Sequence, residues 1–378
     1  MSKKVTIIRS RITDPSFHKI AKTLSENDYN VKVLLWDRSG KKSTENINGY
    51  TIVRFGLKAP YDKIDVALFL PLWWLYEFFF LILESEDIIH ACDFDTLLPG
   101  VIVKSIKKVK LYYMIYDFYA DNIPINSNFI RKLVAFLEKL FIGRCDAVFI
   151  VDPFRYKQIK GASIKKLAII YNTPPDYLEK IGILEKTKKK QGNNLVLFYA
   201  GIIHRSRGLI EILKALKELE DVELIIAGVG PDIKILEKLQ QTFRNKIKYI
   251  GFIPYDEVIK HTLQADAIIA LYDPKIPNNM YASPNKLFEA MMCAKPIIIN
   301  KETAAANIVE KHKSGITVPY GDVYAIKNAI KLLKENYNLR LLLGQNGRKA
   351  YEKHFNWKLM AKKLIYIYNQ LENKSDSD

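Results

Sequence analysis

Cysteine is scarce in this 378-residue chain: Cys92, Cys145 and Cys293 are the only three. They are too scattered for a disulfide framework or a cysteine-rich metal site, which fits a reducing, cytoplasmic setting. The opening Met-Ser-Lys-Lys-Val passes at once into a strand-like run, so no secretory signal peptide is expected. Acidic residues are short, 41 against 58 Lys and Arg, for a formal charge of +17. That balance calls for a polyanionic partner or an anionic surface. Nucleic acid is not the expected partner, because the aromatics sit in apolar runs rather than among the basic residues and no nucleic-acid module signature occurs. The excess begins midway through the first half. Residues 1–100 hold thirteen residues of each sign, whereas residues 101–170 hold thirteen basic and five acidic ones. A lysine-rich solvated surface and a membrane-facing patch are both open readings of that window.

Glycine is missing from the first loop, Arg9-Ser-Arg-Ile-Thr-Asp-Pro15, which excludes a dinucleotide fingerprint there. The later Gly228-Val-Gly230 lacks the third glycine of that motif. Long apolar runs are rare too. The exception, Val66 to Leu83, carries Glu77 as its one charge and is rich in Trp, Tyr and Phe. Its length is marginal for a membrane span, but spanning would part the opening strands from Ile88-Ile-His-Ala91, which looks like another strand of the same sheet. The acidic flank Glu84, Glu86, Asp87 supplies no basic anchor either. We read the run as a helix, either fully buried or partly in core with one face dipping into a bilayer interface.

What is present is alternation. Short apolar strands such as Val5–Ile8 and Val31–Trp36 bracket helix-like stretches, and the pattern persists through Val109–Ile115, Leu195–Ala200, Val222–Ala227 and Ala265–Tyr272. Such alternation predicts α/β architecture with parallel sheets wound on both faces. The pattern breaks at Asn172-Thr-Pro-Pro-Asp176 and a lysine-rich polar stretch follows. The expected organisation is therefore a first domain over 1–178, a linker over 179–194, a second domain over 195–355, and a terminal helix with a polar tail over 356–378.

The stretch from Tyr281 to Ile299 reads as loop, helix, tight turn and buried strand. Ser283 is expected to cap the helix and Pro284 to open it. The amides of Asn285, Lys286 and Leu287 would then sit at the positive end of the helix dipole, a phosphate-binding arrangement. Glu289, one turn on, would offer a carboxylate to hydroxyl donors, unless the helix is ordinarily capped and Glu289 faces solvent. A second anion-binding corner follows Gly201, where Ile202-Ile-His-Arg-Ser-Arg-Gly208 leads from strand to helix.

Ser-Pro-Asn-Lys-Leu-Phe-Glu-Ala-Met followed by Ala-Lys-Pro-Ile-Ile resembles the donor-binding signature of glycosyltransferase family four, retaining nucleotide-sugar transferases of GT-B fold. The resemblance implies two doubly wound, Rossmann-like parallel-sheet domains facing a cleft, and a terminal helix that crosses back to the first domain. It implies that Glu289 holds the donor ribose, that Arg207 matches a diphosphate-gripping lysine, and that Phe252 and Ile253 lie where the donor base would meet backbone. The arginine the family carries after the glycine is Ile202 here, with Arg205 as a substitute within the loop. The family's second glutamate is replaced by Tyr281, and the glycine before Lys-Pro by Ala294. In Tyr113-Met-Ile-Tyr-Asp-Phe-Tyr-Ala-Asp121, Tyr116 stands where the family has a histidine and Asp117 keeps its aspartate. This pair is the expected catalytic one, with Asp117 essential and Tyr116 supportive. Arg9, Arg11 and Asp14 would face the cleft on the acceptor side. Asp93-Phe-Asp95 looks like the metal-binding Asp-x-Asp of another glycosyltransferase fold, yet its place after a strand matches the short turn of GT-B acceptor domains.

The implied function is transfer of a sugar from a nucleotide diphosphate sugar to a cell-envelope or lipid-linked glycan, with retention, no cofactor and no metal. Peripheral contact with the inner face of the membrane would run through Val66 to Leu83. A catalytically silent GT-B partner of another transferase and a nucleotide-sugar epimerase are the alternatives. Turnover of donor without acceptor would mark the epimerase, and donor binding without turnover the silent partner.

Overall fold

The structure is a computed structural model that describes residues 2–11, 16–60, 64–123, 127–178, 194–243, 246–281 and 283–373. The expected linker over 179–194 lies almost wholly outside the described residues. Residues 1–172 with 360–378 make one compact unit, and residues 173–359 a second.

The first unit is built on β1 (Lys4–Arg9), β2 (Asn30–Trp36), β3 (Ser43–Ile47), β4 (Tyr50–Phe55), β5 (Ile88–Cys92), β6 (Lys110–Ile115), β7 (Ala147–Ile150) and β8 (Leu167–Ile169). They pair in the order β3-β4-β2-β1-β5-β6-β7-β8, parallel except for the β3–β4 edge hairpin. The expected all-parallel sheet is thus mixed. The hairpin turns on Asn48-Gly49, both at positive φ (51° and 86°), the backbone that a tight two-residue hairpin loop requires. The central strands are buried along nearly their whole length, which is why they read as continuous apolar runs. Helices α1 (Ser16–Ser25), α2 (Leu70–Leu83), α3 (Leu97–Ile106) and α4 (Asn128–Ile142) connect them.

Helix α2 is fourteen residues long, and among the described residues no helix is long and apolar enough to cross a membrane. Its Leu70, Trp73, Glu77 and Leu81 recur at helical spacing and face inward. The terminal helix Trp357–Asn373 brings residues from 360 onward into the first unit. There Tyr368 packs edge-on to Tyr112 and its hydroxyl meets Nδ1 of the buried His90 at 2.6 Å.

The second unit is a parallel sheet of β9 (Leu195–Ala200), β10 (Val222–Ala227), β11 (Ile247–Tyr249), β12 (Ala267–Ala270), β13 (Ile297–Asn300) and β14 (Gly315–Val318), in the order β11-β10-β9-β12-β13-β14. Thr173–Leu178 group with this unit rather than with the first. Arg348 holds Asp176 through both carboxylate oxygens (3.1 and 2.6 Å), and the Tyr351 hydroxyl donates to the Pro174 carbonyl. In both sheets the strand order reverses once near the middle, between β1 and β5 and between β9 and β12. Side chains at the carboxyl ends of strands beside such a reversal are where ligands of open α/β sheets bind.

Candidate functional site

At the reversal in the second unit, Gly201 directly follows β9 and Tyr272 lies two residues past β12. The Tyr272 backbone is fixed by the fully buried Asn300 at the end of β13. Asn300 accepts from the Tyr272 amide at 2.8 Å and donates to its carbonyl at 3.1 Å. Two cations lie against the Tyr272 ring, Arg207 at 4.7 Å and Lys286 at 5.6 Å from its centroid, and Lys286 is also 4.7 Å from the Tyr199 ring. Aromatic faces stabilise such charges without neutralising them. Arg207 donates to the Asn279 side chain at 3.1 Å. Among the described residues neither cation has a carboxylate partner within salt-bridge distance.

Arg205 is placed differently. It is 69% exposed, and both its backbone amide and its guanidinium bind Asp232. The cation beside the Gly201 turn is Lys286 instead: a Cβ on Gly201 would lie 2.6 Å from its Nζ. The Gly228-Val-Gly230 pair has a steric explanation. A Cβ on either glycine would collide with the carbonyl of Gly201 or Ile203 in the neighbouring loop.

The helix carrying Lys286 spans Asn285–Met292, and its cap residue is Pro284 with extended backbone. The expectation that Ser283 caps it is therefore corrected: its buried hydroxyl makes no cap hydrogen bond and finds no partner among the described residues. Leu287 already uses its amide on the Pro284 carbonyl, which leaves Asn285 and Lys286 as the first-turn amides without an acceptor inside the helix. Glu289 is buried rather than solvent-facing, and the Tyr255 hydroxyl donates to its Oε1 at 3.0 Å. Burial, with Glu289 adding to it, pushes the Tyr255 phenol well above its usual range, so it remains a donor. At the helix end Ala294 adopts φ 53°, the left-handed backbone that glycine favours. Phe252 is 75% exposed and Ile253 half-buried, beside Gly251.

The reversal in the first unit gathers a second cluster. Asp93, just past β5, takes a non-glycine backbone at φ 65° and accepts from the Tyr116 amide (2.8 Å), the Asp117 amide (3.2 Å) and the Arg9 guanidinium. Burial raises the Asp93 carboxyl above its ordinary value despite the Arg9 charge, and Asp117 and Asp95 add to the rise. Arg9 is buried, with its guanidinium 4.7 Å over the Tyr116 ring. Asp117 is half-exposed and accepts from Arg155 at 2.9 Å. Asp95 accepts from Ser10, while its carbonyl takes both indole N–H groups of Trp73 and Trp74. Asp93 and Asp95 are thus engaged separately, and among the described residues no three His, Cys, Asp or Glu side chains converge as metal ligands would. Arg11 is half-buried early in the first loop, and Asp14 lies outside the described residues.

Four residues of these clusters escaped the sequence reading. Tyr255, Asn300 and Arg155 carry no local signal, since their roles arise from contacts 34, 28 and 38 positions away. Asp93 had a signal in its Asp-x-Asp spacing, but that spacing points to metal rather than to a buried anchor for strand-end amides.

Residues 180–350 match the family model described as Glycosyl transferases group 1. The chain is 28% identical to an uncharacterized glycosyltransferase of Methanocaldococcus jannaschii over 74% of its own length and 73% of that protein. It is 27% identical to the capsular polysaccharide biosynthesis glycosyltransferase CapM of Staphylococcus aureus over 51% of this chain and 50% of CapM. Among solved structures, sucrose-phosphate synthase from Thermosynechococcus elongatus superposes with a TM-score of 0.80 at 15% identity, covering 98% of this chain and 100% of that one. Anabaena HepE, solved with UDP and glucose, superposes at 0.71 with 16% identity, covering 97% and 99%. The fold is GT-B.

Proposed function

We propose that this chain, whose residues 180–350 match the group 1 glycosyltransferase model, is such a transferase and moves a hexosyl group from a nucleotide diphosphate sugar to a cell-envelope glycan, free or lipid-linked, with retention of configuration. The observation that carries the donor is the pair of cations on Tyr272. Lys286 and Arg207 are held on aromatic faces, without carboxylate partners among the described residues, next to first-turn amides and the Gly201 turn. Fixed positive charge of this kind stabilises a diphosphate leaving group as its negative charge develops, and in this reading it takes the part a metal ion plays elsewhere. The Ser283 hydroxyl, without a partner among the described residues, is one further donor for the same anion. Glu289, one turn along, already holds one hydroxyl in Tyr255 and is the acceptor for those of a ribose. HepE, crystallised with UDP and glucose, supports a nucleotide-sugar donor. The capsular polysaccharide relative supports an envelope acceptor.

Thermal shift against a panel of nucleotide sugars tests the donor. A true donor at about a hundred times its dissociation constant stabilises by about 2.7 kcal/mol, and a panel without any response overturns the reading. Peripheral contact with a membrane through Val66 to Leu83 is the companion proposal for a lipid-linked acceptor.

A further inference from the structure

Helices α2, α3 and α4 share one face of the first sheet. The steps β4 to β5, β5 to β6 and β6 to β7 all run the same way across it, and right-handed crossovers then place their helices on the same side. Their inner residues, among them Trp73, Leu81, Leu97, Val103 and Ile142, join one core. Their outer residues have no such cover. Leu72, Leu75 and Phe79 on α2, Ile106 on α3, and Leu133 and Phe136 on α4 are all exposed. Each of the outer helices, α2 and α4, is therefore apolar on two sides, whereas a helix that only roofs a sheet needs one such stripe.

Charge on these helices is sorted just as sharply. Their only acidic residues, Glu77 and Glu138, are both fully buried. Glu138 accepts from the Tyr113 hydroxyl and the Tyr119 amide. The other charged residues on the helices are all basic, Lys104, Arg131, Lys132 and Lys139, and Lys108 and Arg144 are exposed just past α3 and α4, while acidic residues flank the two ends of α2, at Asp65, Glu84 and Asp87. We infer that this three-helix face rests on an anionic lipid surface, its Leu and Phe side chains entering the headgroup boundary and its Lys and Arg meeting lipid phosphates. The inference rests on the peripheral-membrane reading and specifies both the surface and the lipid charge. A second copy of the chain fits less well, because a two-fold contact through this face would set the same basic residues against one another. The apolar and electrostatic contributions reinforce each other on an anionic bilayer and not on a neutral one.

Flotation of the full chain with phosphatidylcholine vesicles, with and without about one-third phosphatidylglycerol, is the test. The expected result is binding to the anionic vesicles that weakens with salt. The double variant Leu133→Asp, Phe136→Asp, on a helix outside the Val66 to Leu83 run, should reduce it by about tenfold or more, and so should Lys132→Glu with Arg144→Glu. All four positions are exposed, and unchanged thermal melting checks that the variants fold. If the wild type floats on neither vesicle, the peripheral reading falls and this inference with it. If it floats but the α4 variants float equally well, the three-helix surface is wrong while contact through α2 stands. A wild-type dimer that the α4 double variant dissociates would make the face a self-association surface and overturn the inference. Nucleotide binding, measured on the same samples, reports the donor site separately.

Discussion

The ammonium of Lys286 fills the space a side chain on Gly201 would need, with an ideal Cβ at Gly201 falling 2.6 Å from Nζ. The glycine therefore admits a charge from a helix 85 positions later, which in the proposed donor reading takes the place expected for the arginine missing at Ile202. Lys286→Met is expected to weaken nucleoside diphosphate binding by about 1.5–3 kcal/mol, the usual worth of a hydrogen bond to a charged group. Arg205→Met should do much less, because Arg205 is mostly exposed and already paired with Asp232. Isothermal titration of both variants decides between them. Equal losses would return Arg205 to the donor site.

Glu289 and Tyr255 make a second expectation. Glu289→Ala should leave the fold intact and weaken nucleotide binding by about 1.5–3 kcal/mol through loss of a charged acceptor for the ribose. Tyr255→Phe removes the hydroxyl that orients this carboxylate at 3.0 Å, so it should weaken binding by a smaller amount. Unchanged nucleotide affinity in a folded Glu289→Ala protein would sink the ribose assignment.

Much of the architecture was legible because buried parallel strands must be apolar and must alternate with helices. The mixed edge of the first sheet was legible in principle, since Asn48-Gly49 between Ile47 and Tyr50 is a hairpin signal. The candidate donor corner was legible where local chemistry marks an anion-binding turn, at Gly201 with its basic residues and at the helix start after Pro284. It was misread at Ser283, because a residue that suits capping was assumed to cap, whereas the extended Pro284 takes that place. Lys286 entered for its backbone amide alone. The position of its side chain follows from its contacts with the rings of Tyr199 and Tyr272, which lie on or just past two strands distant in sequence and which periodicity does not bring together.

Acid should loosen the first unit through His90. Burial pushes its folded-state pKa down to about 3, against an ordinary value of 6.5. The ring is neutral in the fold, and the unfolded chain binds a proton first as pH falls. The stability His90 contributes is thus fully present above about pH 6.5 and is lost progressively toward pH 3, at up to about 1.4 kcal/mol per pH unit. Chemical denaturation across that range should show the slope, and His90→Gln should flatten it whatever its effect on stability at neutral pH. Tyr368→Phe, which leaves Nδ1 without its hydroxyl partner, should cost about 1–3 kcal/mol near pH 7.

Asp117 is the strand-end carboxylate expected to matter for turnover. It is half-exposed, whereas its neighbours are committed inward: Arg9 to Asp93 and the Tyr116 ring, and Asp93 to two backbone amides. Arg155 holds one of its oxygens at 2.9 Å, which orients the group. An oriented carboxylate can accept a hydrogen bond from a sugar or acceptor hydroxyl and add negative potential where an electron-poor sugar carbon develops. Tyr116 donates or accepts a hydrogen bond but cannot become cationic as histidine does, and its ring is already the platform for Arg9. Asp117→Asn is therefore expected to lower kcat by about a hundredfold or more, about 2.7 kcal/mol, with donor affinity nearly unchanged. Tyr116→Phe keeps the ring beneath Arg9 and should cost far less, while Arg155→Met should fall between them by releasing the Asp117 carboxylate from its orientation. Steady-state kinetics with a competent acceptor, alongside titration of the donor, separates these cases. A wild-type protein that binds the donor yet transfers nothing to that acceptor would instead be a silent partner of another transferase.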